Sequence, residues 1–473
     1  MLLFVPVPAS AQLIIAGYFL VLVLIAFVRK KTPDSSSDFI LAGRRVTLFP
    51  FVATLVSTMY GWVLGIGELY AQHGVSAWLF LSLPYSLFSL VFALFYAKKA
   101  REGKFTTLSD LLRHHYGNRV ATIGTMLILL LTAPAMYLLM TAQVLHFIWG
   151  WNMVWCIGLA TLFSGGYILK GGFKTVVKTD LLQFIFMFAG FATIVISLFV
   201  VYGLSPLQTI NPDLLRFHLP QSYWYIGSWF LFAAVVLVDP NYHQRIYSVN
   251  KPATAQKGLV ISVLCWTLFD FLAATAALYA LSLLQHSGSL FPSYQLYLIA
   301  GQQFLSPVPM GLFFTGLLAT IVSTGNSFLF TSAISISKDL LHANKKYLSL
   351  SIEQLTRFTL MAVGVANALL CVLYKDSSVV AIFFDFTPYV CAGLLIPVLF
   401  SYTRFKIAPS LVFWQMLLSV SFTYSIKLYR AGKSGLWEEV NEVYFGVCFA
   451  LLFHLVILAF VRHGHFSGKN PHP

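Results

Sequence analysis

IVSTGNS, residues 321–327, sets Ser323, Thr324, Asn326 and Ser327 close together inside the run MGLFFTGLLATIVSTGNSFLFTSAISI, 310–336. The rest of that run is mostly apolar and long enough to cross a bilayer, which takes about 20 such residues. Hydrocarbon offers a hydroxyl no partner, so these side chains must meet protein, a wet cavity or an ion. The 473-residue chain repeats such runs from end to end: 58% of it is apolar and 10% charged, far from a soluble domain. Thirteen apolar segments stand out, near 11–28, 48–71, 76–97, 120–145, 150–168, 176–203, 224–246, 256–285, 308–340, 355–374, 377–402, 408–426 and 441–461. The expected fold class is an all-α polytopic membrane protein of about 13 transmembrane helices, with 1–473 as a single membrane domain. The first segment lacks a basic start and a small-residue cleavage site, so it reads as a retained span.

The formal net charge is +14, yet its placement points to topology rather than to nucleic acid. With the N-terminus outside, the inward loops hold 25 of the 30 Lys and Arg residues, Arg245 counted among them. Arg216, Lys375, Lys427, Arg430 and Lys433 fall outside. That bias predicts a cytoplasmic C-terminus. The expected location is the plasma membrane, or the inner membrane of a Gram-negative bacterium, with the lipid bilayer as surroundings. All five cysteines lie within spans and give neither a disulfide framework nor zinc spacing. The uncharged stretch 286–307 predicts a short re-entrant or interfacial helix. The tail after Phe460 is short for an enzymatic domain.

Two segments carry helix breakers in matching places. VSTMYGWVLGIGE has Gly61, Gly65 and Gly67, and AAVVLVDPNYHQR has Asp239-Pro240. Counting five helices from each gives 48–203 and 224–402, of similar length and opposite starting orientation, the pattern of a 5+5 inverted repeat with a midplane site. The 11–28 helix and the 408–461 helices are then peripheral. Glycine and proline are common in membrane helices, and alone they do not establish the repeat.

In a helix, the hydroxyls of Ser323 and Thr324 and the Thr320 carbonyl can converge on one patch. Three neutral oxygens suit a hard cation, completed by carbonyls freed where the 48–71 helix unwinds around Val56 and Met59. The alternative is that the hydroxyls bond back to their own helix or allow close packing.

Four stretches in order resemble the solute:sodium symporter family, which includes sodium-driven sugar and proline carriers: DFILAGRR (38–45), TTLSDLLRHHYGNR (106–119), GGFKTVVKTDLLQF (171–184) and IVSTGNSFLFTSAISISKDL (321–340). The resemblance implies the leucine-transporter-type inverted-repeat fold. It also implies a sodium site of carbonyls at Val56, Met59 and Thr320 with hydroxyls at Ser323 and Thr324. Asp180 matches the signature aspartate; by resemblance it lies on the sodium exit path, and by position it could instead cap its helix. The implied function is sodium-coupled symport of a small organic solute by alternating access, with Na⁺ as coupling ion, no organic cofactor and no enzymatic activity.

The solute is not fixed by the resemblance. Thr58 stands where the proline branch has aspartate, Asp239 where the sugar branch has asparagine, and Trp266 where that branch has lysine. Four acids, Glu68, Asp239, Asp270 and Asp385, fall at membrane depth, where each costs roughly 2.5–3.5 kcal/mol if charged and unpaired. Asp239, with Tyr60 and Trp62 for cation–π contact, predicts an amine-containing or cationic solute; the alternative for Asp239 is a cap on the half-helix after Pro240. His114 and His115 have no carboxylate partner spaced for metal or catalysis, and His243 reads as interfacial. The rival functions are a non-transporting sensor with the same fold, a proton-coupled carrier, and a transferase using His114.

Overall fold

The computed structural model describes residues 6–27, 35–166, 168–217, 222–286, 292–343, 350–374, 379–403, 405 and 407–462. Of the basic residues used for topology, Arg29, Lys30, Lys31, Lys345, Lys346, Lys375, Arg404, Lys406 and Lys469 lie outside them, as do 287–291 and the tail from 463. The described residues form helices and turns, with one isolated bridge between Val46 and Val249.

The principal helices are α1 (Ala9–Phe27), α2 (Leu48–Met59), α3 (Val63–His73), α4 (Ser82–Val91), α5 (Leu108–Leu131), α6 (Ala135–Trp149), α7 (Met153–Gly165), α8 (Phe173–Tyr202) and α9 (Tyr223–Ala233). After these come α10 (Pro240–Ser248), α11 (Pro252–His286), α12 (Leu296–Phe304), α13 (Pro307–Ile334), α14 (Ile352–Leu373), α15 (Val379–Ser401), α16 (Pro409–Arg430) and α17 (Glu442–Arg462). Among the described residues eleven helical stretches are long and apolar enough to cross a membrane, and Ala9–Ile25 and Leu48–Met59 are shorter apolar helices. The protein is an all-α, multi-pass membrane protein.

Three interruptions shape its centre. Between α2 and α3 the chain leaves the helix at Tyr60–Trp62, just beyond Met59. Between α9 and α10 it passes through a 3₁₀ turn to Asp239, whose extended ψ of 119° is what a following proline imposes. Pro240 then starts α10 at the one end of a helix that tolerates a missing N–H. The third break, at Thr132–Pro134 between α5 and α6, was not anticipated; its signal was Pro134 in an apolar run.

The motifs that looked like family signatures hold these pieces together. Val46 N donates to Ser248 O (3.1 Å) and Asn250 N to Val46 O (3.0 Å), while Arg44 reaches the carbonyls of Lys104, Phe105 and Tyr247. Asp110 pairs with Arg113 (3.0 Å) and Lys338 (2.5 Å), and Thr107 donates to Asp339 at 2.9 Å. The start of α5 is thereby clasped to the π-helical turn that continues α13 through 335–342.

Helices α8 and α13 cross where both are glycine. A Cβ on Gly190 would stand 2.8 Å from the Gly316 Cα, and one on Gly316 would stand 2.5 Å from the Phe186 carbonyl oxygen. Only a side-chain-free crossing permits this approach. At 1.5 Å rise per residue, Asp180 and Ser323 lie roughly 15 Å and 10 Å along their helices from the crossing, in the same direction.

Within the 286–307 stretch a short helix, α12, does form, and it packs onto the bundle. Its residues Leu296 to Gly301 are buried, and the Tyr297 hydroxyl donates to Ala273 O at 2.8 Å.

Candidate functional site

The last turn of α2 has no following helical amide for its final carbonyls, and that turn faces α13. Thr324 Oγ1 lies 3.3 Å from Ser57 O and 3.2 Å from Thr320 O. Val56 O instead accepts from Trp266 Nε1 at 3.4 Å. A Cβ on Gly61 would lie 2.2 Å from Thr324 Cβ and Oγ1, so the break is pressed directly against the β-branched Thr324. Gly61→Ala is expected to force the two apart, costing about 1–3 kcal/mol as overpacking does; a thermal melt unchanged from wild type would contradict this contact.

Ser323 has one hydroxyl proton and two acceptors in reach, Asp180 Oδ1 at 2.7 Å and Ser57 Oγ at 3.0 Å. The shorter, charge-assisted bond takes it. Ser57 spends its own proton on Ala53 O at 2.9 Å. Two hydroxyl oxygens therefore face each other with lone pairs between them, at the electronegative end of α2. Such an arrangement favours a hard cation. Thr320 contributes its carbonyl alone, since its hydroxyl donates to Gly316 O at 2.8 Å.

Two expectations about charged residues are corrected. Asp180 does not cap a helix: α8 begins at Phe173, two turns earlier, so Asp180 lies within the helix, fully buried. Its Oδ2 accepts from the Thr54 hydroxyl and pairs with Arg245 Nη2 at 3.3 Å. Arg245 is not a loop charge. It is 0% exposed, on the polar yet wholly buried helix α10, and its Nε donates to Thr54 O at 3.1 Å. Its Nη2 faces the hydroxyls of Thr58 and Ser327 (2.7 Å to Ser327), and its Cζ stands 5.6 Å from the Phe173 ring centre. The guanidinium fork thus joins α2, α8, α10 and α13. Its signal in the sequence was Asp180 itself, a buried carboxylate that needed a cation. His243 is likewise buried rather than interfacial, with Nδ1 3.0 Å from Asp239 O.

The breaks also enclose a cavity of about 350 Å³ lined by Thr58, Met59, Trp62, Tyr137, Val235 and Asp239, among others. That is within the usual range for a small-molecule site. Asp239 is 3% exposed; its Oδ1 accepts from Asn241 N (2.7 Å) and Tyr242 N (3.2 Å). It therefore caps α10 and lines the cavity at once. Of the other residues expected near a solute, Thr58 and Trp62 line this cavity, whereas Tyr60 and Trp266 line a smaller neighbouring one. Trp62 stacks on Trp229 at 5.9 Å. Asp385 is paired with Lys427 at 2.7 Å and is not among the residues that line the cavity, although Phe386 and Thr387 are, and His114 and His115 are exposed on α5. No group of three or more His, Cys, Asp or Glu that could hold a metal occurs among the described residues.

Comparison with known proteins gives the family and the fold. The profile of the sodium:solute symporter family matches residues 39–418. The sodium/pantothenate symporter of Haemophilus influenzae is 24% identical over 371 residues, covering 73% of this chain and 75% of that protein. The osmoregulated proline transporter of Bacillus subtilis is 24% identical over 405 residues, 80% of this chain and 79% of its own. A solved Na⁺-coupled sialic acid symporter, substrate-bound and outward-open, shares the fold with a TM-score of 0.80 at 14% identity, covering 98% of this chain and 99% of that one. A nucleobase-cation-symport-1 family transporter shares it more distantly, with a TM-score of 0.58 at 11% identity over 93% and 96% of the two chains. The matched span holds the α2–α3 break, Asp180, Arg245 and the Ser323–Thr324 pair, and the chain belongs to the sodium:solute symporter family, a sodium-coupled symporter and not an enzyme.

Proposed function

We propose that the protein is one membrane domain, built as a 5+5 inverted repeat, that imports a cationic or amine-containing solute across the plasma membrane on the sodium gradient. Sodium is held by the carbonyls of Val56, Met59 and Thr320 and the hydroxyls of Ser323 and Thr324. It bridges the broken α2–α3 helix to α13 and stabilises an outward-open state that accepts solute; closure and inward reopening release both. Asp180, bonded to Ser323, orients that hydroxyl and offers the leaving ion its next oxygen. Each sodium entering an inside-negative cell gains about 2.3 kcal/mol per 100 mV, which drives solute uphill.

The observation that carries the solute class is the cavity's charge. Asp239 lines it, no Lys or Arg is among its lining residues within the described part of the chain, and Trp62, Tyr85 and Tyr137 supply aromatic faces. Arg245, behind Thr58, is already answered by Asp180. Asp239→Asn isolates the charge, because asparagine caps a helix as well as aspartate does. In proteoliposomes, the variant is expected to raise the KM for amine solutes at least tenfold with its melting temperature little changed. A neutral sugar as best substrate, with Asp239→Asn unaffected, would refute the cationic reading.

A further inference from the structure

The smaller cavity, on the Tyr60 and Trp266 side of the α2–α3 break, holds an acid that the reading above does not use. Asp270 on α11 is 2% exposed, and its Oδ1 accepts one hydrogen bond, from the Ser82 hydroxyl on α4 at 2.8 Å. Among the described residues no Lys or Arg forms an ion pair with it. It lines a space of about 60 Å³ together with Tyr60, Ser82, Ser86 and Trp266, and Met59, Trp62 and Tyr85 are walls shared with the larger cavity.

The chemistry of the space restricts its occupant. Its volume of about 60 Å³ admits a small ion, since a single water needs only roughly 10–15 Å³. A charged carboxylate with one hydroxyl partner in a buried site is costly unless a cation or a proton joins it. The hydroxyls of Ser82, Ser86 and Tyr60 are hard oxygens of the type an alkali ion takes. The other titratable groups around the site are phenols, Tyr60 and Tyr85 in the cavity, Tyr70 on α3 beside Ser82 and Tyr297 on α12.

We infer that Asp270 and Ser82 form a second monovalent-cation site, filled by sodium or a proton, and linked to the Ser323–Thr324 site through the α2–α3 break. The link is physical. Trp266 lies one helical turn from Asp270 and donates to Val56 O, at the carbonyl end of α2 that faces α13. A cation at Asp270 that shifts α11 therefore acts on the carbonyls proposed for sodium. The inference rests on the proposed sodium site and adds a second cation to each cycle.

The test needs no solute. ²²Na⁺ binding and proton uptake are measured on the purified full chain in lightly buffered detergent solution, for wild type and Asp270→Asn. If sodium fills the site, wild type binds two ions per chain and Asp270→Asn one. If a proton fills it, both bind one sodium, and sodium addition draws up to one proton per chain into wild type and none into the variant. One sodium in both, with no sodium-linked proton uptake, overturns the proposal. Ser82→Ala keeps the carboxylate and is expected to weaken the second cation three- to tenfold, or to shift the proton uptake by the corresponding 0.5 to 1 pH unit; it gives the answer should Asp270→Asn fail to fold, and an unchanged Ser82→Ala counts against the site. Absence of any sodium binding by folded wild type would instead refute the Ser323–Thr324 site.

Discussion

Arg245→Ala is expected to destabilise the protein by about 3–5 kcal/mol, the usual result of removing one member of a buried ion pair. The loss is larger than that of one contact because the guanidinium serves four helices, through Thr54, Thr58, Asp180 and Ser327. Without it, Asp180 keeps only the hydroxyls of Thr54 and Ser323 for a fully buried charge. Arg245→Lys should recover part of the stability, since an ammonium restores the charge but not the fork. Adding Asp180→Asn to Arg245→Ala should recover more of it than either single change predicts, because the stranded charge is gone. The measurement is a double-mutant cycle of thermal melts in detergent. Additive losses would show that the pair does not couple.

Ser323→Ala combined with Thr324→Ala, made in the Asp270→Asn background so that only this site is read, is expected to abolish sodium binding. A hydrogen-bond-strength contact to a charge is worth about 1.5–3 kcal/mol, so each single change should raise the sodium concentration for half-saturation by roughly 10- to 100-fold. Thr324→Ser, which keeps the oxygen, should fall within a few fold of wild type. Sodium-dependent thermal stabilisation reads this directly: a saturating ligand at 100 times its Kd adds about 2.7 kcal/mol, and choline chloride at equal ionic strength is the control. A double variant in the Asp270→Asn background still stabilised by sodium would place the ion elsewhere. Because Ser323 donates to Asp180, Ser323→Ala should also lower the melt slightly in choline, while the sodium-specific increment should fall to roughly 0.4–1.4 kcal/mol at the same sodium concentration.

Much of this molecule was legible before any coordinates. Hydropathy gave the all-α membrane class, with eleven stretches long and apolar enough to cross a membrane among the described residues, because a bilayer demands length and apolarity that no loop supplies. The breaks at Gly61 and Pro240 were visible for a local reason: Gly61 has no side chain to keep from Thr324, and Pro240 has no N–H to give. Asp239 announced both its roles, since an acid before a proline caps a helix, and an acid at that depth needs a reason. Pro134 carried the same local signal, and was overlooked only because the run around it is apolar.

What failed was the assignment of charged residues to places. Arg245 counted as a loop residue because a short polar helix at the end of an apolar span looks like the membrane boundary. Asp180 looked like a cap because one helix start was set three residues late. Sequence by itself determined the membrane class, the two broken helices and the hydroxyl pair at 323–324, all properties of periodicity and local backbone chemistry. Only the tertiary structure decided that Asp180, Arg245, Ser323 and Ser57 meet, and that Asp270 lies alone with Ser82. Those pairings join residues 65 to 266 positions apart; the one between Asp180 and Ser323 depends on how closely α8 and α13 cross at Gly190 and Gly316, and no local pattern encodes distances between helices so far apart in sequence.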